Sequence, residues 1–469
     1  MTALRFGRAL VTALGGCLIA FALTGIQEAA ASSPSGVKTA AISDAELAAA
    51  PVVAEAAGAD LQNAVNEAKP GDTIVLPPGT YRGPIVIAKP VTLQAQREGE
   101  AVLLNEGGES ALRIEADGVA IVGLHIRDEA YKERPSVLVA GDRARLEALR
   151  IETGADGIAA RDANDGIVTR TVIDWAPDGV PMADKGNGID LYNAHRWQIA
   201  DNAIEDVHDG IYMESSDDAV VSGNRIEGSR YGVHCMYTAG TVIRDNEGNR
   251  NVTGAMVMTA REVEVTRNIF TKQNENVHSQ GILLYDAHQS LFADNTVEGN
   301  RVGLYVELST GNRLERNRVA YNFVGIQLID ASMNDVSGNR FQGNVADAQA
   351  RGSQDNEIAG NYWDSFRGID ADGDGRSDLA YAINPFFQGL TKKRPAFQLF
   401  FQSPGMVFLE GLYQSERALW ATDRSPLMAP PGSGANEERT AGTAATGAVG
   451  AALLACSCAI FYRMRRRRI

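Results

Sequence analysis

The sequence predicts an all-β chain wound as a single-stranded right-handed parallel β-helix of 22-residue coils. Three observations carry that expectation. Asparagines recur at Asn202, Asn224, Asn246, Asn268, Asn295, Asn317, Asn339 and Asn361, in steps of 22 broken once by 27. Glycines keep the same steps at Gly188, Gly210, Gly232, Gly254, Gly281, Gly303 and Gly325. Between them lie short β-type runs with no helical period, as in GIYMESSDDAVVSGNRIEG. Self-similarity at a short fixed period marks a solenoid, and its strands stack coil on coil about 4.8 Å apart. The asparagines then form a ladder of side-chain amides at one corner.

The elements follow in chain order. Residues 1–31 read as a secretory signal, with Arg5 and Arg8, an apolar stretch and the small-residue site Ala29-Ala30-Ala31. Leu14-Gly15-Gly16-Cys17 also resembles a lipoprotein box, with little apolar sequence ahead of it. Residues 32–59 are a linker. From Asp60, the helical face of Leu61, Ala64, Val65 and Ala68 is expected to plug the open end of the cylinder, covering core and strand edges. The β-helix runs over 60–369, with a loop around Trp175 to Lys185 where one glycine step lengthens to 31.

Residues 370–384 open with DADGDGRSD. Asp370, Asp372, Asp374, the Arg376 carbonyl and Asp378 match a calcium loop, with Gly375 at the turn. Tyr381 stands where a true EF-hand has its bidentate glutamate, so Asp378 must complete the coordination. Residues 385–425 lose the period and turn apolar, with helical spacing either side of Pro404. Phe400, Phe401, Phe408, Leu409 and Leu412 are the candidate docking residues there. A linker (426–439) leads to 440–462, which is uncharged and long enough to span a bilayer as a transmembrane helix. Arg463 and Arg465 to Arg468 in the tail 463–469 would stay cytoplasmic. The expectation is a periplasmic domain tethered to the inner membrane; a sorting tag removed after export has the same form.

The net charge is −15, and setting aside Arg5, Arg8 and the five tail arginines leaves the exported part near −22. That argues against nucleic acid as a partner. Of four cysteines, Cys17 lies in the signal and Cys456 and Cys458 in the apolar tail. Cys235 is left without an internal disulfide partner and reads as a small buried hydrophobe.

Strand side chains alternate, so positions counted from each repeat glycine sort into faces. Positions +1 and +3 are almost wholly apolar and face the core. Positions +2 and +4 face outward, where two adjacent coils present His234 with Met236 and Met256 with Met258. Thioethers with an imidazole favour a soft ion, Cu(I) above all, whereas Zn or Ca would want thiolates or oxygens. Glu214 lies one coil earlier, and His278, in the five-residue insertion, could close the site. The bland reading is an exposed apolar patch that docks a partner, with methionine for adaptability. His125, His195, His208 and His288 read as surface residues.

RYGVHCMY, GNYWDSFRGIDADGDGRSDLAY, QSPGMVFLEGL and DRSPLMAP together resemble the NosD family of nitrous-oxide reductase maturation proteins, over about residues 45–430. The resemblance implies a periplasmic accessory protein, not an enzyme. It would work with a copper chaperone and an ABC-type transporter to assemble the copper-sulfide centre of apo nitrous-oxide reductase. The C-terminal span departs from that pattern. The competing class is a polysaccharide lyase, epimerase or hydrolase, or a carbohydrate-binding protein, on the same scaffold. Asp190, Glu214 and Glu307 lie on the outer face, but no Lys or Arg stands in the outward columns counted from Gly188 to Gly325. A structural surface protein, the third class, would not need clustered soft ligands.

Overall fold

The computed structural model describes residues 61–431, apart from 274–275, 277, 395–396, 398–399, 401–402 and 414–419. The signal and linker over 1–59, the span 440–462 and the basic tail lie outside the described residues. Among the described residues no helix is long and apolar enough to cross a membrane.

The chain winds into a right-handed parallel solenoid with three long sheets of 13, 13 and 12 strands. Within these three sheets neighbouring strands pair in parallel one coil apart, so strand order follows chain order in steps of three. The 22-residue step fixes this register, because each residue meets the one a whole coil later: Tyr212 faces His234 and His234 faces Met256. The interior is a continuous apolar stack that includes Leu191, Met213, Cys235, Val257 and Leu284, all 0 % exposed. Where the period lengthens, the chain loops out of the cylinder. One loop follows Trp175 and carries the short 3₁₀ turn Met182–Asp184. The other lies between strands Ile269–Thr271 and Gln280–His288.

The asparagine ladder forms as expected between the first and second sheets. Each side-chain amide, as in Asn246 to Asn268 at 2.9 Å, donates to the oxygen of the next. The structure adds two shorter ladders at the other corners. Asn300, Asn322 and Asn344 link at 3.1 Å, and Asn312, Asn334 and Asn356 at 2.9 Å. Each asparagine replaces backbone partners that a strand loses at a corner, which keeps buried amide groups satisfied.

Both ends of the described cylinder are closed. Helix Leu61–Glu67 buries Leu61 and Val65 against the core. Its Gln62 amide donates to Val86 O at 3.0 Å and accepts from Val86 N at 2.7 Å. One side chain thus stands in for a missing coil. At the far end Phe341 stacks on Trp363 at 4.2 Å, and Trp363 meets Tyr381 at 5.0 Å. The short antiparallel pair Tyr381–Ala382 and Thr422–Asp423 covers that end. Between its strands run helices Phe386–Lys393 and Pro404–Leu412. Pro404 begins the second helix, where a missing N–H costs nothing.

Candidate metal site

Four strands of the third sheet build the site: Asp209–Glu214, Tyr231–Met236, Thr253–Arg261 and Gln280–His288. In register, Tyr212, His234, Met256 and Leu283 form one outward row. Glu214, Met236, Met258 and Tyr285 form the next. The quartet His234, Met236, Met256 and Met258 therefore occupies one face of two adjacent strands, about 4.8 Å apart.

The face is less open than alternation alone implies. His234 is 5 % exposed and Met256 9 %, while Met236 and Met258 are half-buried. Aromatic rings cover the imidazole: Tyr212 at 4.9 Å and 55°, Tyr231 nearly edge-on at 4.8 Å and 78°. His234 Nδ1 lies 3.0 Å from Asp209 Oδ2. Arg230 donates Nε and Nη2 to the two oxygens of Asp209 at 2.8 and 2.7 Å, with its guanidinium 4.4 Å over the Tyr231 ring. His234 Nε2 is buried and has no hydrogen-bond partner among the described residues.

Burial alone would raise the Asp209 carboxyl. The hydrogen bonds from His234 and Arg230, with the Arg230 charge, outweigh it and hold the group below the usual carboxylate range. An ionised carboxylate only accepts, so Nδ1 carries the proton and donates. In a neutral imidazole that proton position leaves the lone pair on Nε2. An imidazole nitrogen and thioethers are donor types that suit a soft cation.

Glu214 borders the patch, its Oε2 accepting the Tyr212 hydroxyl at 2.7 Å. Tyr305 and Glu307 repeat that pair at 2.8 Å beyond the methionine coils. Burial first, then the carboxylate, pushes both phenols up. His278 is exposed, and its backbone N–H is taken by Asn276 Oδ1 at 2.9 Å. It precedes Gln280–His288, whereas Met258 lies past the middle of its own strand. Cys235 points inward behind the site, 0 % exposed, and burial pushes its thiol up to about 12.

Sequence reasoning missed Asp209, Arg230 and Tyr231. They precede the repeat glycines, whereas the columns were counted forward from them. The signal was the same 22-residue spacing, which puts Asp209 opposite Tyr231. His208, expected at the surface, is half-buried beside this group; burial lowers its imidazole, Asp209 opposes that, and Arg230 and His234 add to it.

The outward columns also continue one coil past each end of the counted range, to Arg161 and Arg351. A basic residue therefore does join carboxylates on this face. Arg161 Nη1 donates to Asp190 Oδ1 at 2.6 Å, and Asn187 ties Asp190 Oδ2 to Asp156 Oδ1 at 2.7 Å each. The two Asp190 oxygens are thus already engaged within the protein.

The acidic loop brings Asp370, Asp372 and Asp374 together, with their oxygens within 4.8 Å of one another. Asp378 stands outside that trio, its Oδ2 accepting the Ala371 N–H at 2.8 Å. Arg376 pairs backbone with Leu427 and donates Nη1 to Ser425 Oγ. Phe400, Phe408, Leu409 and Leu412 are exposed, at 52, 65, 47 and 58 %; Phe401 lies outside the described residues.

Comparison with known proteins bears on this geometry. Residues 176–368 match the family described as "Periplasmic copper-binding protein (NosD)". A Pseudomonas aeruginosa protein named "Probable ABC transporter binding protein NosD" is 28% identical over 196 residues. That match covers 37% of this chain and 44% of the relative, so it spans less than half of either. Among solved structures, bacteriophage phi29 gene product 12 superposes with TM-score 0.52 at 10% identity, over 62% of this chain and 48% of that one. At that identity the likeness is one of fold. The Azotobacter vinelandii mannuronan C-5 epimerase A-module gives TM-score 0.48 at 13% identity, over 64% and 92%. The coils holding His234, Met236, Met256 and Met258 all fall within 176–368, the stretch in which the chain is similar to the NosD family.

Proposed function

We propose that this chain is a periplasmic accessory protein that holds Cu(I) on His234, Met236, Met256 and Met258. It hands the ion on during assembly of the copper-sulfide centre of nitrous-oxide reductase. One observation carries the reading: His234 Nε2 is buried without a partner among the described residues while Asp209 occupies Nδ1. A buried polar atom normally finds a partner, and an imidazole fixed by a carboxylate on its far nitrogen is the usual form of a metal-ligating histidine. Thioether neighbours select a soft monovalent ion over Zn or Ca. Copper here is cargo, and the half-buried Met236 and Met258 leave it a route in and out. Glu214 is a rim residue that can add an oxygen ligand, and His278, in the insertion before Gln280–His288, is a further candidate nitrogen ligand.

The partners in this reading are an ABC-type transporter, a copper chaperone and apo nitrous-oxide reductase. Exposed Phe400, Phe408, Leu409 and Leu412 offer the transporter an apolar docking face, with Phe401 part of the same segment. Residues 440–462 would anchor the protein to the inner membrane. Calcium at Asp370, Asp372 and Asp374, with the Arg376 carbonyl and Asp378, would brace the acidic loop.

The test is anaerobic Cu(I) titration against a competing chelator. Wild type is expected to take up Cu(I). A variant carrying His234→Ala, Met236→Leu, Met256→Leu and Met258→Leu is expected to lose that uptake. Equal behaviour of the two overturns the ligand assignment and leaves the patch as a docking surface.

A further inference from the structure

We propose that Asp209 and Arg230 are positioning residues: together they hold His234 as the Nδ1–H tautomer, so that Nε2 keeps a free lone pair for a metal ion. The ligand role of His234 rests on the copper reading above; the tautomer does not.

The clamp is built from three coils. Asp209 is 1 % exposed and begins the strand before His234. Its backbone N–H is held by Asn187 Oδ1 at 3.1 Å, from the preceding coil. Arg230 is held by its own N–H on His208 O at 2.6 Å. Its fork then engages both carboxylate oxygens, a geometry that fixes the plane of the carboxylate as well as its charge. Asp209 Oδ2 thereby receives two donors, Arg230 Nη2 and His234 Nδ1. The Tyr231 ring contacts both groups, with the guanidinium 4.4 Å over it and the imidazole 4.8 Å away.

The opposite tautomer fails twice. It sets the Nδ1 lone pair against the carboxylate lone pairs of Asp209. It also buries an Nε2–H that meets no acceptor among the described residues. Both penalties favour the same proton position, and they do so before any metal arrives. An imidazole already presented in the ligating form needs no proton rearrangement on binding.

The experiment is long-range ¹H–¹⁵N NMR of the metal-free, full-length protein labelled at histidine, with His234 assigned by loss of its signals in His234→Gln. A protonated Nδ1 and bare Nε2 are expected; a dominant Nε2–H form overturns the proposal whatever any variant does. Asp209→Asn, nearly isosteric, is expected to mix or reverse the tautomers and weaken Cu(I) binding roughly 10–100-fold. If Asp209→Asn keeps both tautomer and affinity, the clamp has no positioning role. Met256→Leu is the comparator: it should weaken Cu(I) binding and leave the His234 tautomer unchanged. A wild-type protein that shows the Nδ1–H form yet takes up no Cu(I) sinks the copper reading and leaves the clamp standing.

Discussion

Asp423 Oδ2 accepts the side-chain amide of Asn361 at 3.0 Å, so a hairpin residue 62 positions away terminates the asparagine ladder. The same oxygen accepts Asn361 N at 3.0 Å and Trp363 Nε1 at 2.9 Å. Asp423 is 0 % exposed. The last asparagine has no further coil, and a carboxylate takes the acceptor role that the next amide would fill.

Asp423→Ala should therefore destabilise the C-terminal coils by about 2–4 kcal/mol, since several buried donors lose their acceptor at once. Hydrogen exchange should rise in strands Glu357–Ala359 and Tyr362–Trp363 well before it rises near Leu61. Uniform loosening along the whole solenoid would contradict a local cap.

Gly254→Ala should be among the worst single substitutions in the chain. A Cβ there would meet Gly281 O at 2.5 Å and Phe270 ring carbons at 2.6 Å. Backbone cannot yield as a side-chain tip can, so a loss of about 3 kcal/mol or more is expected. Chemical denaturation measures it. The column of repeat glycines marks a line along which successive coils approach too closely for any side chain.

Asp156→Asn should raise stability above neutral pH and change it little in acid. Burial first, then the charge of Asp190, raises the Asp156 carboxyl from 3.8 to about 6, against the Asn187 N–H and Arg161. The folded state thus binds this proton more tightly than the unfolded chain. The resulting stability is complete below pH 4 and is lost as pH rises through about 6. Melting midpoints at pH 4 and pH 8 check the sign: the variant should gain only at pH 8.

Chelation should lower the melting midpoint if calcium sits at Asp370, Asp372 and Asp374. Binding to the folded state alone adds about 2.7 kcal/mol when free ion exceeds its Kd a hundredfold. The loop is tied to the ladder cap, with Ser377 N on Pro426 O at 2.8 Å and Met428 N on Gly375 O at 3.0 Å. Bracing it should slow exchange around Asp423 too. No shift between calcium and EGTA would leave the trio an ordinary acidic turn.

The fold was legible because a solenoid repeats its instructions. One glycine column and one asparagine column set the period, and the period fixes every register, including His234 against Met256. The shorter ladders were also written at 22-residue steps, in Asn300, Asn322 and Asn344, but fewer rungs make a fainter column. Alternation placed the His/Met quartet on one face and Cys235 behind it. It could not show that Tyr212 and Tyr231 close over His234, because burial on an outer face depends on side-chain reach across coils. Asp209 and Arg230 escaped for a related reason: they act from the corner before the strand. Among the acidic residues, spacing found the Asp370, Asp372 and Asp374 trio, while Asp378 turned inward to its own loop backbone.

The stacked coils also act as a ruler. Four steps of the third sheet separate Thr253–Arg261, which carries Met256, from the last strand, Ala346–Arg351. At about 4.8 Å per step the interval is roughly 19 Å. Adding or deleting one whole coil between them would change that interval by about 5 Å while leaving both ends chemically intact. The distance between the soft-ligand face and the closed C-terminal end is therefore quantised, and a change in reach must come in whole coils.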